Sequence, residues 1–311
     1  MVISVGEILA DMIAKNTAEG TVYSRHAGGA PFNVACGIAK LGGKAGFYGC
    51  VGNDLIGDFL IDFAKTRGIE RLHIEQNRER NTTLAFVDLS EAGERSFCFY
   101  RKNTADFCLN EEAIPRIVGE ADIVHLGSLP LSEERGRKFA DGLIEKAKEK
   151  GALVSFDVNY RDDVYPDPKE AVRVYSSYIA AADIVKFSEQ ELYDFSGERD
   201  EKRAIRKMSK GKHLFVTLGK RGSLYCHDGG EILHISAPDL KPVDTTGAGD
   251  AYYAGVLKVL DEKGFSAVAE AMATGSVCGT LATQKKGAIE SFPSPEEIKP
   301  YLDKLGKAEL L

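Results

Sequence analysis

Short apolar runs alternate with longer amphipathic stretches along the whole chain. The runs are VISV at 2–5, GFYGCV at 46–51, DIVHL at 122–126, ALVSF at 152–156, DIVKF at 183–187 and HLFVTL at 213–218. Each has strand length and is apolar on successive residues. Between them, segments such as 54–67, 132–149 and 168–182 repeat their apolar residues with helical period. A strand that is apolar on both faces needs cover on both. The rhythm therefore predicts an α/β fold, a mostly parallel sheet between two helical layers. No repeat or long linker interrupts it, so one domain over residues 1–311 is expected.

Two regions, roughly 12–27 and 71–101, break the rhythm. In the second, TTLAFVDLS and RSFCFYR alternate with period two around the turn sequence EAGE, which predicts an antiparallel accessory sheet. Arg95, Phe97, Phe99 and Arg101 share one of its faces, and Ser96, Cys98 and Tyr100 the other. Bulky groups on both faces of so small a sheet predict a lid, covering a pocket or meeting a second copy of the chain.

Composition narrows the partners. With 311 residues, 43% of them apolar, the chain can bury a large core. A net charge of -7 and a pI near 5.5 offer nucleic acid no general attraction. A nucleotide stays admissible, because a few local N–H groups can hold a phosphate inside an acidic protein. Six scattered cysteines form no zinc-ligand spacing and read as reduced thiols. Cys226 and His227 lie in a stretch that reads as paired strands and carry no metal or nucleophile assignment. Glu7 and Asp11 interrupt the N-terminus where a signal peptide would need an apolar run, and no run reaches membrane-spanning length. A cytoplasmic protein without a membrane partner is expected.

Two glycine-rich segments carry the chemistry. DTTGAGDAYYAG at 244–255 places Gly247, Ala248 and Gly249 directly before a helical run. Small residues at a helix N-terminus let unpaired N–H groups approach an anion. Asp250 beside them would be repelled by a phosphate. It reads either as the acceptor of a proton from an attacking hydroxyl or as a helix cap. GGAPFNVACGIAKLGG at 28–43 has glycines, then Pro31 at a helix start, then a helical run. Asn33 in it would offer a donor and an acceptor to a sugar hydroxyl, or the segment is a turn leading into a packed helix. Neither a dinucleotide fingerprint nor a P-loop is present, since Tyr252 stands where the third glycine of G-x-G-x-x-G belongs.

With both segments present, the chain resembles the ribokinase-like (PfkB) carbohydrate kinases along essentially its whole length. The resemblance implies a three-layer α/β/α core with a small β-sheet lid. It also implies transfer of the γ-phosphate of ATP to a sugar hydroxyl. It assigns the catalytic base to Asp250, and to the amides of Gly247, Ala248 and Gly249 the hole that stabilises the transferring phosphoryl group. Mg2+ would neutralise the phosphates. Asp157, Asn159 and Arg161 in FDVNYR match the family's D-x-N-x-R, which puts the arginine near the transferring phosphate and the sugar. Thr217, Gly219 and Gly222 in VTLGKRGS match the strand-turn segment beside ATP. Lys186, Ser188 and Glu191 match a segment that usually reads N-x-x-E and acts on metal and phosphates; here Ser188 replaces the asparagine. Asp244, Thr246 and ATQKKGAIES at 282–291 resemble the loops that hold a potassium-type cation.

The same resemblance sets the sugar side. Asp11, Gly28, Gly29 and Asn33 match positions that bind sugar hydroxyls. The lid segment ERSFCFYRKNTAD resembles fructokinases, in which an aromatic and an arginine, here Phe97 and Arg101, close over the sugar. D-fructose, phosphorylated to fructose 6-phosphate, is the expected substrate. 2-Keto-3-deoxygluconate is the alternative, with ribose and aminoimidazole riboside behind it. A sugar-binding protein that kept the fold without the chemistry is the alternative of another class. A homodimer through the lid is the expected assembly.

Overall fold

The computed structural model describes residues 1–18, 20–89 and 95–311, the side chains of Asn16, Asp88, Leu89, Arg95, Ser96, Phe97 and Asp162 excepted. Each apolar run is a strand: Val2–Val5, Ala45–Gly52, Ile123–Leu126, Leu153–Asp157, Ile184–Ser188 and His213–Thr217. They lie side by side and parallel in one 10-stranded sheet. Beyond His213–Thr217 the sheet turns antiparallel through Ser223–His227, Ile232–Ile235 and Glu309–Leu310. Cys226 and His227 fall on the first of these, in the paired strands their sequence predicts.

Neighbouring residues of one strand feed opposite cores. Ile3, Val5, Val124, Leu126, Val154 and Phe156 pack under one helical layer, while Val2, Ile123, Ile184 and Phe215 pack under the other. That is why both strand faces are apolar. The helices begin where their caps dictate. Asp54 accepts from the amides of Ile56 and Gly57 at the head of Leu55–Lys65, and Asp167 accepts from Lys169 at the head of Pro168–Ala181. No helix among the described residues is long and apolar enough to cross a membrane.

A separate four-stranded sheet joins Gly20–Gly28, Leu9–Thr17, Leu84–Leu89 and Arg95–Tyr100 in that order. Two expectations change here. The segment Arg71–Asn77 is not in the lid; it is the edge strand of the large sheet, parallel to Ala45–Gly52. An edge strand covered on few sides keeps a polar pattern, and RLHIEQN therefore reads like a lid strand. The lid is also mixed rather than antiparallel, because Leu9–Thr17 runs parallel to Leu84–Leu89. Its inner strands come from distant parts of the chain, a pairing that no local pattern encodes. The EAGE turn lies outside the described residues.

Candidate active site

A cavity of about 1120 Å³ opens where the C-terminal ends of the parallel strands, the inner face of the lid and the start of the Ala248–Lys263 helix meet. Open parallel sheets present ligands at this end. Val2–Val5 leads into Glu7, Ile123–Leu126 into Ser128, and Leu153–Asp157 into Asn159 and Arg161, all of which line the cavity.

The helix is capped by Gly247 at φ 73°, in the left-handed region, where a side chain would also collide with Ala288. That turn sets the head of the helix against the cavity, which Gly247, Gly249 and Asp250 line. Ala248 does not line it, and its amide makes a 3.2 Å turn contact with the Thr245 carbonyl. Of the three residues expected to form the anion hole, Gly247 and Gly249 therefore line the cavity and Ala248 stands behind them.

Asp250 sits on the first turn of that helix, and its Oδ2 accepts from Asn33 Nδ2 at 2.8 Å. This bond joins the two glycine-rich segments across 217 positions. Burial lifts the Asp250 pKa above its ordinary value, against the Asn33 hydrogen bond and the charges of Lys186 and Arg161, which favour the anion. A half-buried carboxylate of raised basicity, open to a cavity, is suited to take a proton from a bound hydroxyl. As a proton acceptor it would act ionised, so activity is expected to be full above the raised pKa and to fall as pH drops through it. The acid limb of kcat/KM is therefore expected above the ordinary carboxylate pKa of about 4. In Asn33→Ala, which removes a bond to the anion, the limb should move to higher pH. An acid limb unmoved by that substitution would separate it from Asp250.

Opposite Asp250, Lys186 and Asp157 form a buried pair, with Lys186 Nζ 2.8 and 3.0 Å from the two carboxylate oxygens. Burial works to lower the lysine pKa, but Asp157, Glu191 and Asp250 outweigh it and hold the ammonium charged. A Cβ at Gly249 would lie 3.5 Å from Lys186 Nζ, so the ammonium stands at the mouth of the helix N-terminus. Arg161 completes the cationic rim, half-buried, its Nη1 donating to the Tyr160 carbonyl at 2.9 Å. Asn159, at φ 35°, also lines the cavity.

Three predicted groups have structural partners. Ser188 and Glu191 close a capping box on the Glu189–Ser196 helix, and the Glu191 oxygens accept the Ser188 and Tyr160 amides, each at 2.7 Å. Glu191 thereby ties the Asp157–Arg161 loop to the next strand. Asp244 accepts from Thr246 through backbone and hydroxyl, at 2.9 and 2.8 Å, and from the Gly287 amide at 3.0 Å. This draws the 244–246 and 282–291 segments together. Thr217, Gly219 and Gly222 lie at the end of His213–Thr217 and do not line the cavity; a side chain at Gly222 would run into the Ile235 carbonyl.

On the lid side, Asp11 lines the cavity, and any side chain at Gly28 would strike its carboxylate. Gly29, at φ 110°, and Asn33 line it as well. Arg101 does not. It is buried in an ion pair with Asp106, so the expected closure of Arg101 over a sugar is corrected. The Phe97 side chain lies outside the described residues, and Phe99 from the same strand lines the cavity. The alternation RSFCFYR already put Phe99 on that face. Sequence reasoning also passed over Glu7, Ser128, His26 and Lys286, which line the cavity; of these, Lys286 carried a signal, since it sits in the 282–291 segment.

The chain matches the family model described as pfkB family carbohydrate kinase over residues 1–295. It is 34% identical over 322 residues to the probable fructokinase-5 of Arabidopsis thaliana, covering 99% of this chain and 98% of the relative. A double-mutant fructokinase from Vibrio cholerae O395, solved with fructose, ADP and potassium ion bound, superposes with a TM-score of 0.88 at 32% identity, over 97% of each chain. The aminoimidazole riboside kinase of Salmonella enterica superposes with a TM-score of 0.81 at 26% identity, over 97% of this chain and 98% of that one.

Proposed function

The chain belongs to the pfkB family of carbohydrate kinases, and on that premise we propose that it transfers the γ-phosphate of ATP to D-fructose, giving fructose 6-phosphate. The observation that carries the reading is the Asn33–Asp250 bond, which sets a carboxylate of raised basicity at the head of a glycine-capped helix. In the proposed step the sugar lies between Asp11, Gly29 and Asn33, its reacting hydroxyl at Asp250. Asp250 takes the proton as the oxygen attacks the γ-phosphorus. The bond to the β-phosphate oxygen breaks, and ADP leaves with that electron pair. The amides of Gly247 and Gly249, with Lys186 and Arg161, receive the charge of the transferring group. The lid keeps water from competing as acceptor.

Among the described residues no cluster of three or more His, Cys, Asp or Glu is placed to hold a metal. Mg2+ usually takes one or two carboxylates together with nucleotide phosphates and water. Glu191, whose charge reaches both Asp157 and Lys186, is the nearest candidate to its hydration shell. When bound, Mg2+ would neutralise phosphate charge. The Asp244-tied loops are the proposed site of a potassium-type cation. The outer lid face, where Phe86 meets Tyr23 in a T-shaped contact and Tyr100 in a tilted one, with Tyr23 and Tyr100 exposed, is the proposed contact of a homodimer.

The test is ADP release with Mg-ATP against fructose, 2-keto-3-deoxygluconate, ribose and aminoimidazole riboside. Fructose is expected to give the highest kcat/KM. Another winner would leave the kinase and overturn the sugar. Sugar and ATP binding without ADP formation would favour a sugar-binding protein on the kinase fold.

A further inference from the structure

The lid sheet joins the core through four segments, before Leu9, after Gly28, before Leu84 and after Tyr100, and one buried carboxylate holds the last two. Asp106 is 1% exposed. Its Oδ1 accepts from Thr83 Oγ1 at 2.6 Å and from Thr104 Oγ1 at 2.7 Å. Its Oδ2 accepts from Arg101 Nε at 2.8 Å and from Nη2 at 2.6 Å. Arg101 also donates to Ser132 Oγ in the core and lies over the Phe107 ring at 5.5 Å. Around this centre the Ala105 amide bonds the Asn81 carbonyl at 2.9 Å, and the Ala10 amide bonds the Thr83 carbonyl at 3.1 Å. The carboxylate therefore reaches both ends of the Leu84–Tyr100 excursion into the lid, and through Thr83 it reaches Leu9–Thr17, the inner lid strand of the other excursion. Neither Asp106 nor Arg101 lines the cavity.

A buried ion pair brings little net stability over a well-packed apolar pair, but a two-pronged Arg–carboxylate contact fixes orientation. We propose that Asp106 and Arg101 are positioning residues that anchor the lid to the core and set the angle at which it covers the sugar. The anchor acts on the sugar side of the reaction and on water exclusion, and leaves the nucleotide side alone. Its catalytic consequence rests on the sugar-kinase reading; its mechanical one does not.

The experiment compares wild type, Asp106→Asn and Thr104→Val by hydrogen exchange and by kinetics. Thr104→Val removes one bond from the anchor without leaving a buried charge unpaired, and it decides the matter if Asp106→Asn does not fold. Amide exchange in Leu9–Thr17, Gly20–Gly28 and Leu84–Leu89 is expected to quicken about tenfold or more, with Val2–Val5 and Ile123–Leu126 unchanged. The sugar KM is expected to rise about tenfold at a constant ATP KM, with ADP formed in excess of sugar phosphate as water enters. Equal quickening of lid and core, or a parallel rise of both KM values with tight coupling, would overturn the anchor. Wild type that phosphorylates no sugar would sink the kinase reading, while the exchange rates would still decide the anchor.

Discussion

Asp250→Asn is expected to lower kcat by about 10²–10⁴-fold, the contribution of a positioned general base, and to leave sugar and ATP affinity within a few-fold of wild type. Asparagine keeps the shape and an oxygen that can accept from Asn33 Nδ2, so the bond between the glycine-rich segments survives. It also removes a charge whose ionisation burial already opposes; the melting temperature should hold or rise. Coupled-assay kinetics with calorimetric titration of both ligands separate the two effects. Retention of more than about a tenth of wild-type turnover would exclude Asp250 as the base.

Lys186→Met should damage both stability and activity. Breaking a buried pair by removing one partner costs about 3–5 kcal/mol, because the other charge is left uncompensated. Asp157 is that charge. Burial, with the neighbouring charges of Glu191 and Asp250, already outweighs Lys186 and raises its pKa to about 6. Without the lysine the shift must grow. A raised carboxyl pKa means that the folded state binds the proton more tightly than the unfolded one, so stability is kept at acid pH and lost as pH rises through the folded value. The deficit of Lys186→Met in thermal unfolding should therefore be small near pH 5 and large near pH 8. Loss of one charged donor to the transferring phosphate should separately cost about 10²–10³-fold in kcat. Adding Asp157→Asn should restore most of the stability and none of the rate. Recovery of rate together with stability would make the lysine a scaffold group only.

Local pattern carried much of this molecule. VISV, DIVHL and DIVKF are strands within a residue of where their apolar runs lie, because a strand buried on both faces cannot be polar on either. DTTGAGDAYYAG was legible as a helix start for a similarly local reason, since only a small residue takes the left-handed turn at Gly247 that opens Ala248–Lys263.

Other sites could not be read so. Arg101 was expected at the sugar from the resemblance of its segment to fructokinases, and a strand's alternation tells which residues share a face but not how far along it the pocket ends. Arg101 falls just past that limit, beside Asp106. Arg71–Asn77 looked like lid because a half-exposed edge strand and a lid strand have the same polarity.

By itself the sequence determined the layered parallel sheet, the glycine-capped helix and the identity of the groups able to do chemistry, since period, cap and residue type act over a few neighbouring positions. Only the tertiary structure decided that Asn33 meets Asp250, that Lys186 pairs with Asp157, and that Arg101 is buried against Asp106. Those contacts join residues that chain order keeps apart, and their energies depend on burial, a property of the packed whole.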